Sequence, residues 1–117
     1  MDIKEYTEAE IAVTAIDGRI DGTTAAEAET AILGRLTGVP ALVLDLAQVD
    51  YVSSAGLRVV LKAAKSARAS GARLALAGLA PQVQEVFDIS GFSSVLEIHA
   101  SSAEAIASLL AASGDGA

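Results

Sequence analysis

ALVLDLAQVDYVSSAGLRVVLKAAKSARASG, residues 41–71, contains both halves of an α/β unit. Residues 41–46 are almost continuously apolar, interrupted by Asp45, as expected of a strand covered on both faces. From Ser54 the period changes. Leu57, Val60, Leu61 and Ala64 fall at i, i+3, i+4 and i+7, the apolar stripe of a helix, with Arg58, Lys62, Lys65 and Arg68 on the opposite side. Ser70-Gly71 closes the helix. Between strand and helix the spacing predicts a short polar loop over 47–53. In parallel sheets, loops at the carboxyl ends of strands are where function sits.

The same alternation extends in both directions. Residues 11–16 (IAVTAI) alternate large apolar with small or polar and end at a turn signal, Asp17-Gly18. Residues 2–7 can pair with them as an edge strand. Thr24-Ala25-Ala26-Glu27 has the form of a capping box, opening a helix with Ala28, Ile32 and Leu36 on one face and Gly38-Val39-Pro40 at its end. Downstream come a strand over 73–77 and a helix with Pro81 at its first position, carrying Val83, Val86 and Phe87 and ended by Gly91. A last strand is expected over 95–98. Ser101-Ser102-Ala103-Glu104 is a second capping box, opening a helix with Ile106, Leu109 and Leu110 inward. The order ββαβαβαβα implies an α/β fold: a mixed, mostly parallel sheet of four to five strands with about four helices. One domain is expected over 1–112, with a frayed tail at 113–117.

Composition narrows the function. A chain of 117 residues has room for one core. Fifteen acids against eight bases give a net charge of −7, which disfavours direct binding to nucleic acid or an anionic membrane. No apolar run approaches the roughly 20 residues of a membrane span, and MDIKEYTEAEIAV is no export signal, so a cytoplasmic protein is expected. There is no cysteine and a single histidine, His99, placed past the last strand as a structural or exposed group. Thiolate catalysis and cysteine-ligated zinc are thereby excluded, and most other metal or general-base schemes lose their usual participant. Asp45 and Asp50 flank the loop, but no histidine, cysteine or second motif converges on them. Phosphate-loop, nucleophile-elbow and dinucleotide signatures are absent, so no enzyme activity and no cofactor are expected.

What remains is a surface. Ser53 and Ser54 stand where a helix begins, so either can cap its first turn. The same position would hold a phosphate in the positive field of the helix N-terminus. Local physics leaves both readings open. Asp21 is either a turn aspartate or part of a binding face, and the basic stripe on the helix is either a solvated face or a site for an acidic partner.

Several segments together resemble the STAS-domain anti-sigma factor antagonists, over about residues 11–110. They are Gly18-Arg19-Ile20-Asp21, the strand at 42–46, Tyr51-Val52-Ser53-Ser54-Ala55-Gly56-Leu57-Arg58, Gly71-Ala72-Arg73-Leu74 and Phe87-Asp88-Ile89-Ser90-Gly91-Phe92. The resemblance implies a protein that binds an anti-sigma factor, itself a serine kinase, and so releases a sigma factor. It further implies that the kinase phosphorylates the serine two positions before the helix-start glycine, here Ser54, and that a PP2C-type phosphatase reverses this. Ser53 stands where phosphorylated members usually carry an aspartate, and it is the fallback acceptor. The implied partner-binding residues are Asp21, Thr23, Tyr51, Ser53, Ser54, Ala55, Gly56, Leu57 and Arg58. The alternative is a STAS module that docks constitutively on a transporter or larger signalling complex without phosphorylation.

Overall fold

In a computed structural model that describes residues 1–115, β1 (Asp2–Glu8) and β2 (Ile11–Ile20) form an antiparallel hairpin pairing Glu8 with Ile11. Its two turn residues, Ala9 and Glu10, have φ of 51° and 70°. Positive φ at both positions matches the tight turn that suits strand twist, although Gly or Asn would adopt it with less strain. The chain continues through α1 (Ala25–Leu36), β3 (Ala41–Val52), α2 (Ser54–Ser70), β4 (Arg73–Ala77), α3 (Pro81–Ile89), β5 (Glu97–His99) and α4 (Ser102–Asp115). The strands lie in sequence order in one five-stranded sheet, and every pairing after the first is parallel. This is the expected order and class.

Parallel crossovers that step one way across a sheet put their helices on one face when all are right-handed. Accordingly α1, α2 and α3 share a face, packed on Ile16, Ile20, Leu42, Leu44, Leu46 and Leu76. The intervening residues Val13, Val43, Ala75 and Ala77 face the other way and are covered by Ala105, Ile106 and Leu109 of α4. Bulky leucines lie under three helices and smaller residues under one. The outer strand β1 is largely exposed and carries Asp2, Lys4, Glu5 and Glu8, charges that discourage pairing with another chain. Arg35, in the last turn of α1, ties the hairpin down: its Nη2 donates to the Tyr6 carbonyl at 2.8 Å.

Several expectations need correction. Asp17-Gly18 is not a turn; it lies inside β2, whose register shifts between Ala15 and Asp17 and again between Gly18 and Arg19. These bulges absorb the turn-like residues, with Gly18 at φ +119°, and the strand continues. For the same reason the loop expected over 47–53 is mostly strand, since β3 pairs with β2 as far as Val52. The capping box at Thr24 does not form. Thr24 has helical dihedrals, and its hydroxyl turns back to accept from the Asp21 amide at 2.9 Å and donate to the Arg19 carbonyl at 2.8 Å. The buried face of α2 is Gly56, Leu57, Val59, Val60, Ala63 and Ala67, leaving Leu61 and Ala64 half-buried. Small residues let the helix sit close to the sheet, which a reading weighted to large side chains misses. Finally, β5 starts at Glu97, because a turn in which the Val95 amide donates to the Phe92 carbonyl (3.1 Å) occupies the positions before it.

His99 therefore belongs to β5, where its Nε2 lies 2.8 Å from Glu97 Oε2. At α4 the forward half of the second capping box is present, the Glu104 amide donating to Ser101 Oγ at 3.2 Å. Helix α4 extends to Asp115; Ile106 and Leu109 are buried as expected, but Leu110, expected inward, is 39% exposed. Within the tail expected at 113–117, residues 116 and 117 and the side chains from 112 onward lie outside the described residues.

Candidate functional site

β3 pairs with β4 only over Ala41–Asp45, but with β2 as far as Ile20 opposite Val52. The last third of β2 and of β3 is therefore a two-stranded ribbon that outruns the rest of the sheet. α1 begins after one of its strands and α2 after the other, so the two helix starts stand side by side. The ribbon is locked to α2 by the Ser53 amide, which donates to the Ile20 carbonyl at 2.9 Å.

At that junction Ser53 is extended (φ −86°, ψ 177°) and acts as the N-cap, its Oγ accepting from the Gly56 amide at 3.3 Å. The Leu57 amide donates to the Ser53 carbonyl at 2.8 Å. Gly56 is required by space: a Cβ there would lie 2.5 Å from the Ile20 carbonyl oxygen and 2.9 Å from Ile20 Cγ2. No side chain fits where the first turn of the helix presses on the ribbon.

Ser54, the first helical residue, is exposed, and its hydroxyl makes no hydrogen bond among the described residues. Neither its amide nor that of Ala55 has a protein acceptor there, as expected of the first turn of a helix. The result is a protruding hydroxyl beside two free amides at the positive end of a helix of 17 residues.

The opening of α1 is built differently. Asp21 Oδ1 accepts from the Thr23 amide (2.9 Å) and the Thr23 hydroxyl (2.7 Å), while Oδ2 meets Arg19 Nε at 3.0 Å. The Thr23 hydroxyl and amide, helped by Arg19 and the Thr24 amide, hold the Asp21 carboxyl below the usual aspartate range. Arg19 in turn lies over the ring of Tyr51, 5.0 Å from its centroid. The two are partners across the ribbon, so strand register brings the contact about. Tyr51 is 46% exposed and forms the outer wall of the site.

Of the residues expected here, Asp21, Thr23, Tyr51, Ser53, Ser54 and Ala55 gather around the two helix starts. Arg58 is exposed one turn further along α2, in a cleft of about 440 Å³ between α1 and α2 that also includes Gly22, Glu29 and Lys62. Gly56 and Leu57 are buried, so they shape the surface from beneath. Arg19 was not among the residues singled out. Its role depends on the bulged register that sets it opposite Tyr51, and the dipeptide Asp17-Gly18 masks that register in the sequence.

Residues 2–105 match the STAS domain family. The chain is 42% identical over 96 residues to a Bordetella bronchiseptica protein named as the anti-sigma factor antagonist BtrV, covering 81% of this chain and 82% of that one. It is 34% identical over 84 residues to the anti-sigma-B factor antagonist of Listeria monocytogenes, 71% of this chain and 74% of the other. Among solved structures, the anti-sigma factor antagonist SpoIIAA in its unphosphorylated form superimposes with a TM-score of 0.79, at 20% identity, over 94% of this chain and 97% of that one. The phosphorylated form of SpoIIAA, from Bacillus, gives a TM-score of 0.71 at 20% identity, over 92% and 99%. The structures establish a shared fold. Together with the match along nearly the whole sequence and a relative at 42% identity, they show that the chain belongs to the STAS domain family.

Proposed function

We propose that this protein is an anti-sigma factor antagonist: it binds an anti-sigma factor that is also a serine kinase, frees a sigma factor, and is switched off by phosphorylation of Ser54. The names carried by its relatives support the antagonist role. One observation carries the choice of acceptor. The Ser53 hydroxyl is engaged in capping α2, while the neighbouring Ser54 hydroxyl is exposed and free of internal bonds. Thr23 and Thr24 are poorer acceptors, since the hydroxyl of each donates to Asp21 or to the Arg19 carbonyl.

The mechanism is electrostatic and local. A phosphate on Ser54 adds about −1.5 to −2 charges at neutral pH. The helix dipole and the free amides of Ser54 and Ala55 stabilise that charge within this chain, so the fold survives. For a partner surface shaped to a neutral hydroxyl between Tyr51 and Arg58, the same group is a bulky anion to be desolvated at the centre of an interface, and binding is lost. A PP2C-type phosphatase restores the hydroxyl. This chain contributes a surface and an acceptor; the nucleotide chemistry belongs to the kinase.

The test is incubation with the cognate anti-sigma kinase and ATP, followed by mass spectrometry of the peptide containing Ser53 and Ser54. The expected result is a single phosphate on Ser54. An unmodified peptide, beside a control antagonist that is phosphorylated, would contradict the switch and favour constitutive docking.

A further inference from the structure

On the other side of α2, away from the α1 cleft, is a groove of about 410 Å³ between the C-terminal half of that helix and the turn leading into β5. One wall is formed by Leu61 and Ala64, the other by Phe92, Val95 and Leu96. The chain's own packing leaves it unfilled: Val95 is 60% exposed, and the other four are half-buried. Lys65 and Arg68 also line it, and both are exposed. They lie three residues apart, neighbours on one helix face and able to reach a single ligand group. Neither has an ion-pair partner among the described residues. Glu97, in the adjoining cleft, is held by Arg73 at 2.7 Å and by His99 at 2.8 Å. In a chain of net charge −7, two uncompensated cations at the rim of an apolar groove are a localised departure from the overall field.

We infer that this groove is a binding site for a small amphipathic carboxylate, a short acyl chain lying against Leu61, Ala64 and Val95 with its carboxylate between Lys65 and Arg68. The groove has the size and makeup of ordinary ligand sites, mostly apolar walls with a few convergent charged groups. What sets this position apart from the other basic residues of α2 is the apolar groove beside the two cations. The site is separate from Ser54: Lys65 and Arg68 lie about 16–21 Å from it along the axis of α2. It does not rest on the proposed phosphorylation.

The probe is sodium octanoate, titrated below its micelle concentration into ¹⁵N-labelled protein, with octylammonium as the matched cation. Saturable amide shifts are expected at 61–68 and 92–97, leaving 19–23 and 51–58 unmoved, and octylammonium should not compete. Lys65→Gln combined with Arg68→Gln should weaken octanoate by about fivefold or more. Both side chains are exposed, so the fold is retained. Ala64→Phe, which fills the groove, should remove the saturable response. Shifts scattered over the surface, equal response to octylammonium, or unchanged affinity in the double variant would overturn the site.

Discussion

The two helix starts at the tip of the ribbon, Asp21-Gly22-Thr23-Thr24 and Ser53-Ser54-Ala55-Gly56, each carry two hydroxyl residues and a glycine, but they are in opposite physical states. At the first, the Asp21 carboxylate, the Thr23 hydroxyl and the Thr24 hydroxyl all bond to one another or to Arg19. At the second, one serine caps and the next is left free. The first is a rigid platform; the second offers a modifiable group. Hydrogen bonding alone thereby holds both threonines and Ser53 in the scaffold and leaves Ser54, the proposed acceptor, free.

The contrast is broken most severely at Gly56. Replacing it with Ala forces a Cβ to within 2.5 Å of a backbone oxygen, so α2 must move off the ribbon. Overpacking of this kind costs about 1–3 kcal/mol, and urea unfolding should show a loss in that range. By comparison Gly22 has open space around its Cβ position, and Gly22→Ala should leave the midpoint nearly unchanged. The next effect is at the cap: Ser53→Ala should cost about 1 kcal/mol, read from the same transition, because the Gly56 amide loses its acceptor. Thr24→Ala, at the nominal cap of α1, breaks contacts to the 19–21 backbone instead, so Ser53-type capping loss is not what it would report.

A smaller effect separates the two starts by pH. The folded Asp21 carboxyl is held below its unfolded value, so the stability it contributes is present above the unfolded range, near pH 4, and is lost as pH falls through the lower folded value. Thermal melts of Asp21→Asn should therefore converge on wild type as the pH is lowered below about 4 and diverge above it. Parallel melting curves at every pH would contradict the platform. The smallest effect on stability is at Ser54. With no internal partner to lose, Ser54→Ala should stay within about 0.5 kcal/mol of wild type while abolishing phosphate incorporation.

The fold is legible in the sequence because its two periods are strong. The leucines of 42–46 and the helical stripe after Ser54 place a buried strand and its crossover helix, and the family resemblance singles out the helix start at Ser54. The ribbon is hidden. Asp17-Gly18 in β2 and Ala47-Gln48 in β3 resemble turn or loop residues, yet bulged pairing extends both strands and creates the Arg19–Tyr51 contact. Pairing across strands is a non-local property that local turn statistics do not report. The difference between Ser53 and Ser54 was open for a similar reason: either hydroxyl can cap, and only the backbone path at Val52-Ser53 decides which one does.

In the proposed switch, charge at Ser54 changes the surface and leaves the fold intact. Titration calorimetry of wild type and Ser54→Asp against the cognate anti-sigma factor, with a thermal melt of each, tests this directly. The expected result is an affinity at least about tenfold weaker for Ser54→Asp, corresponding to roughly 1.4 kcal/mol, with melting temperatures that coincide. Equal affinities, or weaker binding that merely follows a lowered melting temperature, would contradict it.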